Sequence, residues 1–313
     1  MQIGESYFYK GLDDEDILIL NDPLDTRISQ EIKNYNGLRI VVRKYVPWEE
    51  FDSSTIEEKV SEIRLEDPDA PNQLALKFRY IESLHLPNEP EEGYFSRFQK
   101  LSKCTIGGAR KLPKDLAELK SLRSLQLLDD CSLRQVGQVE LFESFVGLEE
   151  LYLSAKSLPR GLCRLEGLPN LRSLSLSDWK GDGLRLIEGL KSLEMIRLDY
   201  ANKVSGLDDF AVCEKLTSVH LAAMKSLRNL TGLASLKKLT SLTLEDCAGI
   251  ESLSPLFAHQ RLRDIRLWGK TKIEDGDIRG LLTCPNLKAV EYNNRRGYNL
   301  KFEEVEQELA RLK

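Results

Sequence analysis

Histidine is scarce in this 313-residue chain: His85, His220 and His259 are the only three. Six cysteines, Cys104, Cys131, Cys163, Cys213, Cys247 and Cys284, lie far apart, and no C-x-x-C occurs. These counts leave no H-E-x-x-H zinc motif, no redox dithiol and no closely spaced disulfide framework. No G-x-S-x-G elbow is present. Trp268-Gly269-Lys270-Thr271 contains a G-K-T, but a phosphate loop needs a glycine five residues before Gly269, and that residue is Asp264. No cofactor, metal or small-molecule substrate is expected. The first residues, MQIGESYFYKGLDDED, lack a basic segment followed by an apolar one, so no secretory leader is expected. No stretch reaches eighteen apolar residues, so no membrane span is expected. Together with dispersed thiols, these features predict a cytoplasmic location. The net charge of −5 argues against a chain devoted to wrapping nucleic acid.

Leucine, by contrast, is abundant and periodic. The pattern L-x-x-L-x-L, with conservative replacements, recurs eleven times, from Val60/Ile63/Leu65 through Leu171/Leu174/Leu176 and Leu239/Leu242/Leu244 to Leu287/Val290/Tyr292. Successive matches are 20 to 26 residues apart. Residues two apart share one face of a strand, so the last two members of each match point the same way. One such unit cannot bury its leucines alone. Stacked units bury them in a continuous core, with strands about 4.8 Å apart in a parallel sheet. The unbroken period predicts repeats without an interior linker.

The pattern resembles the leucine-rich repeat family over at least residues 57–293. The fuller signature, L-x-x-L-x-L-x-x-N/C, is met at Leu239 to Cys247. Repeats of 22–23 residues with Ile250-x-x-Leu253 and Val204-x-x-Leu207 on the returning side resemble the internalin-like subclass. The resemblance implies an α/β repeat fold. The fold expected from it is a leucine-rich repeat solenoid, a horseshoe or arc, with a concave parallel sheet and short 3₁₀, extended or helical segments on the convex side. At the N/C place stand Asp130, Lys156, Trp179, Ala201, Met224 and Lys270 in other repeats, so the side-chain ladder at the bend is expected to be mostly missing and the turns irregular.

Residues 1–57 read as a cap. Leu18/Leu20 and Ile40/Val42 precede Ile63/Leu65 at the repeat spacing, which predicts two degenerate rungs. Asp25 is placed to cap a helix bearing Ile28, Ile32 and Tyr35, and Ser54-x-x-Glu57 reads as a capping box. A separate small α/β domain is the alternative. Residues 58–293 hold the repeats. Residues 294–313 carry Phe302, Val305, Leu309 and Leu312 at helical spacing and predict a C-terminal capping helix.

The residues beside each inward pair point to the opposite face of the sheet. There the sequence places Tyr152, Trp179, Arg197, Asp199, Tyr200, His220, Glu245, Asp246, Arg266 and Trp268. Aromatics on a rigid scaffold are typical anchors of protein interfaces, and acids around them suit a basic partner. The plain alternative is a solvated sheet surface with scattered aromatics. Serines flanking the inward leucines have no adjacent base, so catalysis is not expected. The resemblance implies protein binding. A chain that ends about twenty residues after its last repeat suggests action by occupying a partner, as an inhibitor or immunity protein does to a toxin or enzyme. An adaptor bridging two proteins is the alternative. An enzyme within residues 1–57 is disfavoured, because that stretch has no histidine and no cysteine.

Overall fold

In Ser241-Leu-Thr-Leu-Glu245, alternation puts Leu242 and Leu244 on one side of an extended segment, and both are fully buried. The same holds at every match of the hexapeptide: all of its members from Val60 to Tyr292 are buried. Each buried leucine contributes roughly 1.5–3 kcal/mol. The structure is a computed structural model. It describes all residues except 1, 4, 11–14, 22–23, 46–55, 129–130, 136, 160–164, 248, 258 and 312–313. Two compact units are present, one of residues 1–148 with 156–160 and one of residues 149–155 with 161–313.

The first unit begins with β1 (Gln2–Ile3) and β2 (Ser6–Lys10), an antiparallel hairpin. Strand β2 runs antiparallel to β3 (Asp16–Leu20). Parallel strands follow: β4 (Leu38–Val42), β5 (Val60–Leu65), β6 (Ser83–Leu86), β7 (Lys103–Ile106) and β8 (Ser124–Leu127). Leu18 aligns with Ile40 and Ile63, and Leu20 with Val42 and Leu65, so β3 and β4 lie in register with the first regular repeat. Asp25 caps α1 (Thr26–Ile32): its Oδ1 accepts from the backbone of Arg27 at 2.8 Å and Ile28 at 2.9 Å. The repeat that is 26 residues long places its extra residues in α3 (Gln138–Glu143), after α2 (Lys114–Glu118) on the preceding return. The hairpin β1–β2, absent from the sequence expectation, covers the edge of β3. Ser54 and Trp48 lie outside the described residues; Glu57 opens a 3₁₀ turn, Glu57–Lys59.

The second unit stacks β9 (Glu150–Ser154), β10 (Ser173–Ser177), β11 (Met195–Asp199), β12 (Ser218–Ala222) and β13 (Ser241–Glu245) in parallel. A short β14 (Gly249–Ile250) on the return side follows. Then β15 (Asp264–Trp268) extends the main sheet, β16 (Lys272–Ile273) pairs with β14, and β17 (Ala289–Tyr292) pairs with β15. The returns after β10, β11 and β12 carry short 3₁₀ turns, such as Asp208–Val212 and Thr231–Ser235, as the internalin-like spacing implies. Helix α4 (Phe302–Arg311) buries Val305 and Leu309. Leu312 lies outside the described residues.

The turns are more regular than the sequence suggests. After five strands the chain takes up a left-handed conformation at the same place, at Asp178, Tyr200, Ala223, Asp246 and Gly269, with φ between +48° and +62°. Only the last is glycine, and the others accept a local cost of roughly 1–2 kcal/mol each. What offsets it is one more rung of backbone pairing. The Tyr200 N–H donates to the Ala222 carbonyl at 2.9 Å, and the Ala223 N–H to the Glu245 carbonyl at 2.8 Å. The side-chain ladder is also fuller than expected. Cys247 Sγ donates to the Leu221 carbonyl at 3.4 Å from the N/C place itself. Elsewhere the next residue does this work: Cys131 Sγ to Ile106 O at 3.1 Å, Ser157 Oγ to Leu128 O at 3.2 Å and Thr271 Oγ1 to Leu244 O at 3.0 Å. A one-residue shift therefore hides the ladder from a strict motif.

Candidate protein-binding face

The predicted site residues all belong to the second unit, and strand register determines which of them meet. Across β9 to β17 the central outward positions align as Tyr152, Ser175, Arg197, His220, Thr243, Arg266 and Glu291. The next outward row is Ser154, Ser177, Asp199, Ala222, Glu245 and Trp268. Inward leucines on the other face pin this register, because a slip by one residue would expose them.

Arg197, Asp199, His220 and Glu245 come together on β11, β12 and β13. Arg197 Nε donates to Asp199 Oδ2 at 2.8 Å, and this hydrogen bond raises the pKa of the guanidinium. Asp199 Oδ1 is buried with no partner among the described residues. His220 Nε2 lies 3.2 Å from Glu245 Oε2. Tyr200 follows Asp199 in the left-handed turn and is 54% exposed. Asp246, in the equivalent turn two rungs on, accepts from the Lys270 backbone at 2.8 Å through Oδ1.

Arg266 and Trp268 form a second group on β15. One carboxylate organises both: Glu291 takes the Trp268 indole N–H at 3.0 Å and Arg266 Nε at 3.5 Å. The Arg266 guanidinium carbon lies 5.8 Å from the Trp268 ring centroid, within cation–π range. Trp268 keeps 39% of its surface exposed. Tyr152 stands apart on β9, separated from Arg197 by a strand whose outward residues are Ser173, Ser175 and Ser177. At about 4.8 Å per strand, their backbones are roughly 10 Å apart.

Trp179 departs from expectation. It is half-buried, and its indole N–H donates to the Gly183 carbonyl at 2.7 Å, so the ring packs on its own loop rather than standing on the face. Thr243, on the central row, is buried. One contributor escaped the sequence reading. Met195, 51% exposed, occupies the first outward position of β11. Glu291, at the end of the central outward row, anchors the Trp268 group. Extending the alternation one place toward the start of each strand would have found Met195.

This architecture is a leucine-rich repeat fold of internalin-like spacing. No protein-family signature matches the chain. No curated protein sequence matches it. Among solved structures it is similar to an internalin (InlF) of Listeria monocytogenes, at 14% identity and TM-score 0.54, over 89% of this chain and 87% of the internalin. It is also similar to Toll of Drosophila, solved in complex with Spatzle, at 14% identity and TM-score 0.54, over 88% of this chain and 47% of that one. A third likeness is to TLR13, solved with a single-stranded RNA, at 19% identity and TM-score 0.58, over 85% of this chain and 41% of that one.

Proposed function

We propose that this chain is a non-enzymatic protein-binding module of the cytoplasm that acts by occupying its partner, as an inhibitor or immunity protein occupies a toxin or enzyme. The observation that carries this reading is the pair of exposed aromatics, Tyr200 and Trp268, set among charged side chains that hold one another in place. Ordered before binding, such side chains lose little rotamer entropy on contact, and that favours affinity. The fold does not choose the ligand class, since neighbours were solved with a protein and with an RNA. The chemistry of this face does favour one. Asp199, Glu245, Asp246 and Glu291 would repel phosphates and attract lysine or arginine on a protein.

The test is affinity capture from native cytosol with mass spectrometry, followed by calorimetry on the purified pair. An inhibitor gives a one-to-one complex in which the partner's own activity is lost. A partner that binds Tyr200→Ala/Trp268→Ala as tightly as the parent, with the variant folded, would remove this face from consideration.

A further inference from the structure

The turns that lead into β12, β13, β15 and β17 are rich in lysine and arginine. In the residues leading into β12, β13, β15 and β17 stand Lys215, Lys237, Lys238, Arg261, Arg263 and Lys288, all exposed. Glu214 is the one carboxylate among positions 214–217, 237–240, 260–263 and 285–288, and Asp264 follows at the start of β15. A local excess of five positive charges thus sits on a chain whose net charge is −5. Backbone bonds stack these turns: Thr240 N to Thr217 O, Arg263 N to Thr240 O and Lys288 N to Arg263 O, each 2.8 Å. Lys215, Lys238 and Arg261 occupy the same place on three successive rungs, at about 4.8 Å per rung.

None of the six cations makes an ion pair or a side-chain hydrogen bond among the described residues. On the outward face of the same sheet, Arg197 and Arg266 are both paired, with Asp199 and Glu291. Like charges on adjacent rungs repel one another, and with only Glu214 and Asp264 among them the excess positive charge favours an external counterion. Beside its last member opens a cavity of about 530 Å³, bounded by Leu282, Pro285, Leu287, Lys288 and Leu309. The cationic row therefore leads to a partly apolar recess.

We propose that this rim binds an acidic segment of a protein partner, with carboxylates along the row and an apolar side chain in the recess beside Leu309. From the rung of Lys215 to that of Lys288 is about 14 Å, the reach of four to five extended residues. Positions 214–217, 237–240, 260–263 and 285–288 hold no aromatic residue on which bases could stack, unlike most surfaces that bind single-stranded nucleic acid. Their leucines are buried, so no large apolar side chain is free to enter a bilayer. This surface is distinct from the sheet face. Two surfaces of opposite charge on one unit are what an adaptor would need.

The probe is a dye-labelled peptide of five glutamates followed by leucine, titrated by fluorescence anisotropy against the full chain at low and moderate salt. Binding should fall with salt and weaken about tenfold or more in Lys215→Glu/Lys238→Glu/Arg261→Glu, whose melting by circular dichroism verifies folding. Replacing the terminal leucine by serine should weaken it several-fold. Tyr200→Ala/Trp268→Ala should bind the peptide as the parent does; a loss there would assign the peptide to the sheet face and overturn the rim. No binding at low salt, equal binding by the triple variant, or tighter binding to oligothymidine or phosphatidylserine vesicles would also overturn it.

Discussion

The Trp268 indole donates to Glu291 Oε2 across adjacent strands at 3.0 Å, which holds an exposed aromatic ring in one orientation before any partner arrives. A ring ordered in this way acts mainly on the lifetime of a complex. Trp268→Ala or Tyr200→Ala should each speed dissociation, at a cost of about 2 kcal/mol if the residue lies at the centre of the interface. Asp199→Asn should instead slow association and flatten its dependence on salt, because a charge acts at long range. Surface-binding kinetics with the captured partner separates the two effects.

Leu242 tests the repeat core. It is fully buried, and its neighbours on the adjoining strands are Val219 and Ile265. Leu242→Ala should destabilise the chain by about 2–5 kcal/mol in urea titration. Because each rung contacts only the next, hydrogen exchange should accelerate first in β12, β13 and β15. A loss under about 1 kcal/mol would contradict the inward assignment.

Thr271 tests the displaced ladder. Its hydroxyl donates to the Leu244 carbonyl at 3.0 Å and accepts from the Cys247 N–H at 3.1 Å, and the side chain is buried. Thr271→Val keeps the shape but leaves the Cys247 N–H without its acceptor and takes the hydroxyl donor from the Leu244 carbonyl, which should cost about 1–3 kcal/mol. Thr271→Ser should recover most of that stability. Equal stability of the valine and serine variants would show that the hydroxyl contributes nothing.

Two histidines impose a pH dependence. His259, buried with Nε2 2.9 Å from the Leu236 carbonyl, has its pKa lowered by burial. His85 is shifted the same way, by burial first and by Arg64 second. As pH falls through the ordinary histidine value of about 6.5, the unfolded chain takes up protons at these positions before the folded chain does. Stability should therefore decline with acidity from just above that value downward, before most carboxylates titrate. The urea midpoint should be lower at pH 5.8 than at pH 7.2, and His259→Gln should reduce the difference.

The thiols should be inert while the chain is folded. Cys104, Cys131, Cys213, Cys247 and Cys284 are buried, and burial pushes Cys213 and Cys247 each up to about 11. Iodoacetamide at pH 8 should leave these five unmodified in the native chain and label them in urea, as mass spectrometry of the peptides will show. Rapid native labelling of Cys247 would contradict its place in the ladder.

The repeat itself was legible because its physics is local and periodic. Leucines three and then two apart can be buried together only in a strand that turns inward, and register follows once neighbours stack. The same reasoning placed Asp25 at a helix start and aligned Leu18/Leu20 and Ile40/Val42 with Ile63/Leu65, as the structure has them. What the tertiary structure alone decided depends on non-local partners. Trp179 leaves the face because the Gly183 carbonyl is within reach of its indole, and Trp268 stays because Glu291, two dozen residues later, holds it. The ladder moved one residue along because a hydroxyl or thiol needs only to reach the previous rung's carbonyl, whichever position carries it. The charge of a rim is likewise invisible in a linear reading, since its members lie some twenty residues apart and become neighbours only when the rungs stack.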